Sequence, residues 1–188
     1  MRYKDLIEKY GNGLMSSFYY EEICKELEPL CPCNLLVFGL GNDSFLWHNL
    51  NKDGTTVFIE DDIEWISNFE NSDLNIIPVK YNTFVEDYKI LKYNESKLTI
   101  ELPENITNKE WDFIFVDGPL GHQPPRPWAG PGRMKSLYTA FTLIKNNGVV
   151  VVDDFSRPIE NNYTRHFFGK DNIYKVINKK IAFVKSKK

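Results

Sequence analysis

The sequence contains no apolar run that approaches the ~18 consecutive residues of a membrane-spanning helix. Its first residues, MRYKDLIEKYGNG, are charged and lack the apolar segment of a signal peptide. Positive charge is not in excess either, because 23 lysines and arginines stand against 26 acidic residues, for a net charge of -3. These absences predict a cytoplasmic protein with neither a membrane nor a nucleic acid as its main partner.

Cysteine is also scarce, since the chain has only Cys24, Cys31 and Cys33. The last two are too close together for the Cys-x-x-Cys motif of redox or zinc sites. We therefore expect free thiols in a reducing compartment and no metal–thiolate site. A length of 188 residues suffices for one domain with a substantial core, and the sequence contains neither an evident linker nor a repeat.

Short apolar runs alternate with helical patterns along most of the chain. Continuous runs of this length are typical of parallel strands that are buried on both faces. They predict strands at NLLVFG, TVFIE, NIIPVK, WDFIFVD and VVVVDD, the third at a sheet edge because it contains Pro78. Helices are predicted over 16–28, 44–51, from 61 onward, over 82–92, and over 133–148. NIYKVI and IAFVK predict a closing hairpin. The expected fold is α/β, a mostly parallel sheet with an antiparallel C-terminal hairpin.

A glycine turn, Gly39-Leu40-Gly41, follows the first predicted strand. Such a turn lets the backbone approach a nucleotide-like ligand at the start of a helix. The dinucleotide fingerprint requires a third glycine where this chain has Ser44, and Asp43 would repel a pyrophosphate. An acidic turn suits the cationic S-adenosylmethionine better, so we predict that Gly39, Gly41 and Asp43 bind this cofactor. The alternative for Asp43 is a plain helix cap.

Glu60 ends the second predicted strand, about twenty residues after the glycines. An acid at this position can accept hydrogen bonds from both hydroxyls of a ribose. Nicotinamide cofactors use the same kind of residue, so Glu60 predicts a nucleoside without choosing between the two cofactors. Its alternative is a solvated charge at the start of a helix.

Three carboxylates follow the later strands: Asp117 after the fourth, and Asp153 and Asp154 after the fifth. Because ligands of open α/β sheets bind at the carboxyl ends of the strands, these groups should converge beside the cofactor, and Asp117 is also expected to bind it. They can hold a divalent cation such as Mg, Mn or Co through their oxygens. Alternatively Asp117 or Asp154 acts as a general base, or the carboxylates merely cap the helix or loop that comes after each strand.

The Pro- and Gly-rich segment 118–133 is predicted to be a loop that presents an acceptor site. Arg126, Arg133 and the later Arg157 suit a carboxylate partner, and the Trp128 ring can stack on a sugar. His122 is a candidate proton acceptor. The alternatives are surface ion pairs for the arginines and plain solvation for the histidine.

Four ordered motifs, CNLLVFGLGNDSFLW, TVFIEDDIEWI, WDFIFVDGPLG and PGRM, resemble those of the glucuronoxylan 4-O-methyltransferase-like family of plant cell-wall enzymes. The resemblance implies a Rossmann-like fold, S-adenosylmethionine, a sugar or polysaccharide acceptor and an associated divalent metal. It also implies methylation of the 4-hydroxyl of glucuronic acid. Carried over, it places Gly39, Gly41 and Asp43 in the cofactor turn, Glu60 at the ribose, Asp117 at the active site, and Arg133, Asp154 and Arg157 in the later motifs.

The chain departs from the family pattern on the expected acceptor side. Asn42 and Asp153 stand where the family usually has histidine, and Ala129-Gly130 replace Glu-Ala. We expect one methyltransferase domain over 1–188, with a helical extension over 1–30 and a Rossmann-like core over 31–188. Its expected activity is O-methylation of a sugar hydroxyl, with the oligomeric state left open. The alternatives are a metal-dependent methyltransferase of phenolic molecules and a glycan-binding scaffold without turnover.

Overall fold

The computed structural model describes residues 3–11, 15–120 and 130–187. Within these residues, no helix is both long and apolar enough to cross a lipid bilayer. The α-helices are α1 (Tyr3–Tyr10), α2 (Ser17–Leu27), α3 (Ser44–Leu50), α4 (Ile63–Ser67), α5 (Tyr88–Leu91), α6 (Glu104–Thr107), α7 (Met134–Leu143) and α8 (Pro158–Phe168). The strands are β1 (Asn34–Phe38), β2 (Thr55–Glu60), β3 (Ile76–Pro78), β4 (Trp111–Val116), β5 (Ile144–Val152), β6 (Ile173–Ile177) and β7 (Ile181–Lys185).

The strands form one seven-stranded sheet in the order β3-β2-β1-β4-β5-β7-β6. Strands β1 to β5 pair in parallel, whereas β7 runs antiparallel to both β5 and β6. The predicted α/β fold with an antiparallel C-terminal hairpin is thereby confirmed, as is the edge position of β3. The order reverses between β1 and β4, which opens a crevice at their carboxyl ends where ligands of such sheets bind.

The sheet is buried on both faces, which explains the continuous apolar runs of its strands. In β1, Leu35 and Val37 face one hydrophobic cluster, and Leu36 and Phe38 face the other. Helices α1, α2 and α3 cover the first face, and α7 and α8 cover the second. Burial of this kind contributes about 25 cal/mol per Å² of apolar surface, so both layers hold the strand ends in place.

The predicted helix over 133–148 is wrong in its second half. Helix α7 ends at Leu143, and Ile144 already pairs with Trp111 of β4. The register then shifts, so that Phe113 pairs with Val149 and the residues between bulge out. Ile144 has helical spacing in the sequence, but its side chain packs against Gly148. A Cβ on Gly148 would lie only 2.6 Å from the Ile144 Cδ1 atom. The helix predicted over 82–92 is also shorter, with only Tyr88–Leu91 in an α-helix.

Candidate active site

The ends of β1 and β4 touch through two glycines. Gly39 has a φ of +111°, which glycine adopts most readily, and it follows β1 directly. A Cβ on Gly118, which lies two residues beyond β4, would come within 2.7 Å of the Gly39 Cα. The two backbones therefore lie in direct contact and form the floor of the crevice.

Replacement of Gly118 by alanine is expected to lower the free energy of unfolding by about 1–3 kcal/mol, because the new methyl group collides with backbone that has no room to move. Urea unfolding measures this loss. Gly41→Ala is the comparison, since its Cβ would meet the Asp43 carboxylate at 2.6 Å rather than backbone, so the loss should be smaller. Equal stability of the two variants would contradict the backbone contact.

Glu60 connects the end of β2 to the glycine turn. Its Oε2 accepts a hydrogen bond from the Leu40 amide at 2.8 Å, and Oε1 accepts from the amides of Asp61 and Asp62 at 2.8 and 3.0 Å. Glu60 is therefore bonded to the backbone of the glycine turn and to the backbone before α4. Burial and the charge of Glu60 raise the pKa of Asp61 to about 6. Oε2 keeps a lone pair for a further donor, whereas Oε1 already accepts two hydrogen bonds.

Asp43 occupies the position before α3, but its side chain makes no capping hydrogen bond to that helix. Asp43 Oδ2 instead accepts a hydrogen bond from the Tyr20 hydroxyl at 3.1 Å, and the Gly41 amide donates to Ser44 Oγ. Burial raises the pKa of Asp43, while the bond from Tyr20 opposes this rise. The α2 tyrosine thus holds the carboxylate beside the turn, an arrangement that the sequence did not predict.

The three predicted carboxylates do converge at the ends of β4 and β5. Oxygens of Asp117, Asp153 and Asp154 lie within 4.8 Å of one another. Arg133 lies among them: Nη2 is 3.1 Å from Asp117 Oδ1 and 3.2 Å from Asp154 Oδ2. Its Nη1 donates to the Asp153 carbonyl at 3.0 Å, and Nε donates to the Pro119 carbonyl at 3.3 Å.

Three further residues complete this carboxylate cluster. Arg157 Nη2 pairs with Asp154 Oδ2 at 2.9 Å, and Lys180 Nζ lies 3.3 Å from carboxylate oxygens of both Asp153 and Asp154. Glu160 is buried, 3.9 Å from Arg133 Nε, and its oxygens have no hydrogen-bond partner among the described residues. Sequence reasoning missed Glu160 and Lys180.

The local backbone aims Asp154 and Lys180 into the cluster. Asp154 has a φ of +54°, an unusual conformation for a residue other than glycine, and such strain is often found at functional sites. Asn178 and Lys179 also have positive φ values and form the tight turn between β6 and β7. Lys180 follows this turn, and its carbonyl accepts the Phe155 amide at 2.7 Å, which brings its ammonium beside the acids.

The surroundings shift the pKa values of three of these acids in different directions. Desolvation raises the pKa of Asp117 well above its usual range, although the Arg133 guanidinium opposes this and Asp153 reinforces it. Desolvation also raises the pKa of Asp154, but Arg133, Arg157 and Lys180 more than reverse it, so the net shift is downward. Burial raises the pKa of Glu160 against the attraction of Arg133.

The structure describes only some of the predicted acceptor residues. His122, Arg126 and Trp128 lie outside the described residues. Arg157 is half-buried and reaches the cluster through Asp154. Arg133 keeps only 5% of its side chain exposed, and its three nitrogens bond within the protein. This geometry gives Arg133 the position of an internal counter-ion rather than that of a group presented to an acceptor.

The crevice fits the predicted cofactor chemically. Glycine backbones form its floor, a strand-end acid retains acceptor capacity, and the Asp43 carboxylate can attract a cationic ligand. The oxygens of the three aspartates also suit a hard divalent cation. Arg133 and Lys180 already pair with these oxygens, so an ion would have to share them with two positive charges. The cluster therefore fits a divalent cation less well than the crevice fits the cofactor.

The strand order, the glycine turn and Glu60 together define an open α/β sheet with a nucleoside-type crevice at its strand ends, a fold that solved methyltransferases share. The solved structure of MycE methyltransferase from the mycinamycin biosynthetic pathway, in complex with Mg and SAH, superposes with a TM-score of 0.59 at 13% identity and covers 99% of this chain and 49% of that one. The profile of the IRX15/IRX15L/GXM family matches residues 20–97 and 86–183. The chain therefore belongs to this family, which confirms the resemblance.

Curated relatives are plant proteins. Arabinogalactan O-methyltransferase 2 of Arabidopsis thaliana is 35% identical over 79% of this chain and 60% of its own length. Glucuronoxylan 4-O-methyltransferase 2 of the same plant is 34% identical over 75% of this chain and 55% of its own length. The chain thus spans between half and two thirds of the length of these relatives.

Proposed function

We propose that this protein is an S-adenosylmethionine-dependent O-methyltransferase that acts on a sugar hydroxyl of a glycan, with glucuronic acid or a related unit as the preferred acceptor. The observation that carries the proposal is the position of Asp117. Its side chain is 34% exposed, its pKa is raised, and it lies next to the glycine floor of the crevice. The names of the plant relatives support a glycan acceptor.

In this proposal the glycine turn, Glu60 and Asp43 hold the cofactor. Glu60 accepts a ribose hydroxyl through Oε2, and Asp43 faces the positive charge of the cofactor. Bound S-adenosylmethionine supplies a methyl group that its sulfonium activates for transfer. The main contribution of the protein is then to place the acceptor oxygen in line with that methyl group.

Asp117 would accept the proton of the sugar hydroxyl. A carboxylate with a raised pKa is a stronger base than an ordinary one, and a sugar hydroxyl is a poor nucleophile until it loses its proton. Arg133 holds the Asp117 Oδ1 in place, which leaves the other carboxylate oxygen for the hydroxyl. Arg133, Arg157 and Lys180 lower the pKa of Asp154 and so keep it ionised, and its charge balances that of Arg133.

Glu60→Gln is expected to raise the dissociation constant of S-adenosylhomocysteine roughly 10- to 100-fold, because a charged acceptor of a ribose hydroxyl is lost. The side-chain nitrogen of the glutamine would also face a backbone N–H group that now donates to the carboxylate, so at least one of these three hydrogen bonds would be lost. Calorimetry measures the effect. Glu64→Gln, an exposed position on α4, is the control. An unchanged dissociation constant would show that Glu60 serves only the loop.

A divalent cation is the alternative to Asp117 as a direct base. Asp117, Asp153 and Asp154 would hold it, and it would lower the pKa of a hydroxyl bound to it. If the ion is required, turnover should vanish in EDTA and return with added Mg, Mn or Co. Full turnover in EDTA would assign the charge balance to Arg133, Arg157 and Lys180 alone.

An acceptor screen distinguishes the proposal from its alternatives. Uronic-acid oligosaccharides should be methylated in the presence of S-adenosylmethionine, and mass spectrometry should detect the added methyl group. Methylation of catechol-like phenols instead would favour the phenolic alternative. Glycan binding without transfer would favour a scaffold. The cytoplasmic location stays a prediction of the sequence.

A further inference from the structure

A second cavity lies beside the edge strand β3, apart from the carboxylate cluster. It is a groove of about 1000 Å³ whose polar lining includes Lys80, Asn82, Ser96, Lys97, Thr99 and Lys135. This volume is at the upper end of the range for small-molecule sites.

Lys135 is the unusual residue of the groove. It lies in the first turn of α7, and only 6% of it is exposed. Its Nζ donates to the Thr99 carbonyl at 2.7 Å, and within the described part of the chain no carboxylate lies within 4 Å of it. Burial lowers the pKa of Lys135, and the charge of Glu101 partly offsets this. A buried ammonium with one carbonyl partner retains two donors for an anionic ligand.

The other groove residues suit a sugar with one negative charge. Lys80 and Lys97 are exposed and have no ion pair among the described residues, while Asp87 and Glu101 also line the groove. Three lysines and two acids leave one net positive charge, and carboxylates accept hydrogen bonds from hydroxyl groups. Phe84 is 61% exposed, and its ring offers a flat apolar surface to the face of a sugar.

The groove is joined to the candidate active site through one short segment. Thr83, on the groove wall, donates its hydroxyl to the Pro131 carbonyl at 2.8 Å. Arg133 follows two residues later and lies in the carboxylate cluster, and Lys135 follows two residues after that and lines the groove. The segment 131–135 therefore contributes one residue to the carboxylate cluster and one to the groove, so the two sites share a wall.

We propose that this groove is an acceptor subsite that binds a carboxylated sugar unit, with the Lys135 ammonium donating to its carboxylate. The subsite rests on the proposed function, because the ligand that enters the groove is the same glycan whose hydroxyl is methylated near Asp117. It adds a specificity element, since a chain without a carboxylate would leave the buried ammonium without a charged partner.

Calorimetry with two matched probes tests the subsite in the presence of S-adenosylhomocysteine. One probe is a xylo-oligosaccharide with two glucuronic acid units, one for the acceptor position and one for the groove, and the other is the same molecule with both carboxyl groups reduced to alcohols. The wild-type protein should bind the acid at least about tenfold more tightly than the alcohol. Lys135→Met should remove most of this difference and leave S-adenosylhomocysteine affinity unchanged.

Two further variants keep the test decisive. Lys97→Met, at an exposed position, should weaken only the acid probe, by about two- to fivefold. Lys52→Met, an exposed lysine in the turn after α3, should change nothing. A carboxyl preference that survives in Lys135→Met, or no sugar binding by the wild type, would overturn the subsite while the proposed function stands. Weaker S-adenosylhomocysteine binding in Lys135→Met would assign the groove to the cofactor. If the wild type does not bind S-adenosylhomocysteine, both proposals fail.

Discussion

Replacement of Asp117 by asparagine is expected to lower kcat by roughly 10²- to 10⁴-fold, the range for loss of a general base. The amide cannot take the proton of the acceptor hydroxyl. Binding of S-adenosylhomocysteine should stay within about threefold of the wild type, because the glycine floor and Glu60 do not depend on this carboxylate. Single-turnover kinetics with a sugar acceptor and calorimetry measure the two quantities.

Asp73→Asn is the matched control for this experiment, since Asp73 is an exposed acid on the loop before β3. It should retain full turnover. Asp117→Ala should match Asp117→Asn in turnover, since neither side chain can act as a base. Equal loss of turnover and of cofactor affinity in the Asp117 variants would count against its assignment as the base.

Replacement of Arg133 by methionine is expected to lower the free energy of unfolding by about 3–5 kcal/mol, the range for removal of one partner of a buried ion pair. Four acids would lose the guanidinium that lies between them, namely Asp117, Asp153, Asp154 and Glu160. Asp117 and Glu160 already have raised pKa values in its presence.

The loss in Arg133→Met should also depend on pH. Without the guanidinium, the pKa values of Asp117 and Glu160 rise further above their values in the unfolded chain. The folded state then binds more protons than the unfolded state. Stability then falls as pH rises through this range, and the loss should be larger at about pH 8 than at about pH 5.5. Urea unfolding at both pH values measures it, with the exposed Arg165→Met as control. A stable variant with weaker acceptor binding would support instead the predicted role of Arg133 in acceptor binding.

Much of the fold could be predicted because the strands are buried on both faces, so their apolar runs are unbroken. Gly39 and the strand-end acids could also be identified, since a parallel sheet brings its carboxyl ends together. The boundary between α7 and β5 could not be predicted, because Ile144 fits a helical pattern and only its pairing with Trp111 makes it a strand residue.

The parts of the site that could not be predicted from the sequence depend on tertiary contacts between distant segments. Tyr20 reaches Asp43 across 23 residues, and Lys180 comes to Asp154 from the hairpin turn. Glu160 lies in the first turn of α8, where an acid ordinarily favours the helix dipole, so nothing in the sequence marks it as buried. Arg133 could be singled out, but its burial among acids depends on the packing of several distant elements.

Titration of the purified protein with S-adenosylhomocysteine by calorimetry tests the central claim most directly. We predict saturable one-to-one binding that is strongly reduced in Glu60→Gln and retained in Asp117→Asn. Repetition with an added divalent cation would show whether a cation changes the affinity for S-adenosylhomocysteine. Absence of binding with and without the cation would contradict the assignment of this chain as a methyltransferase.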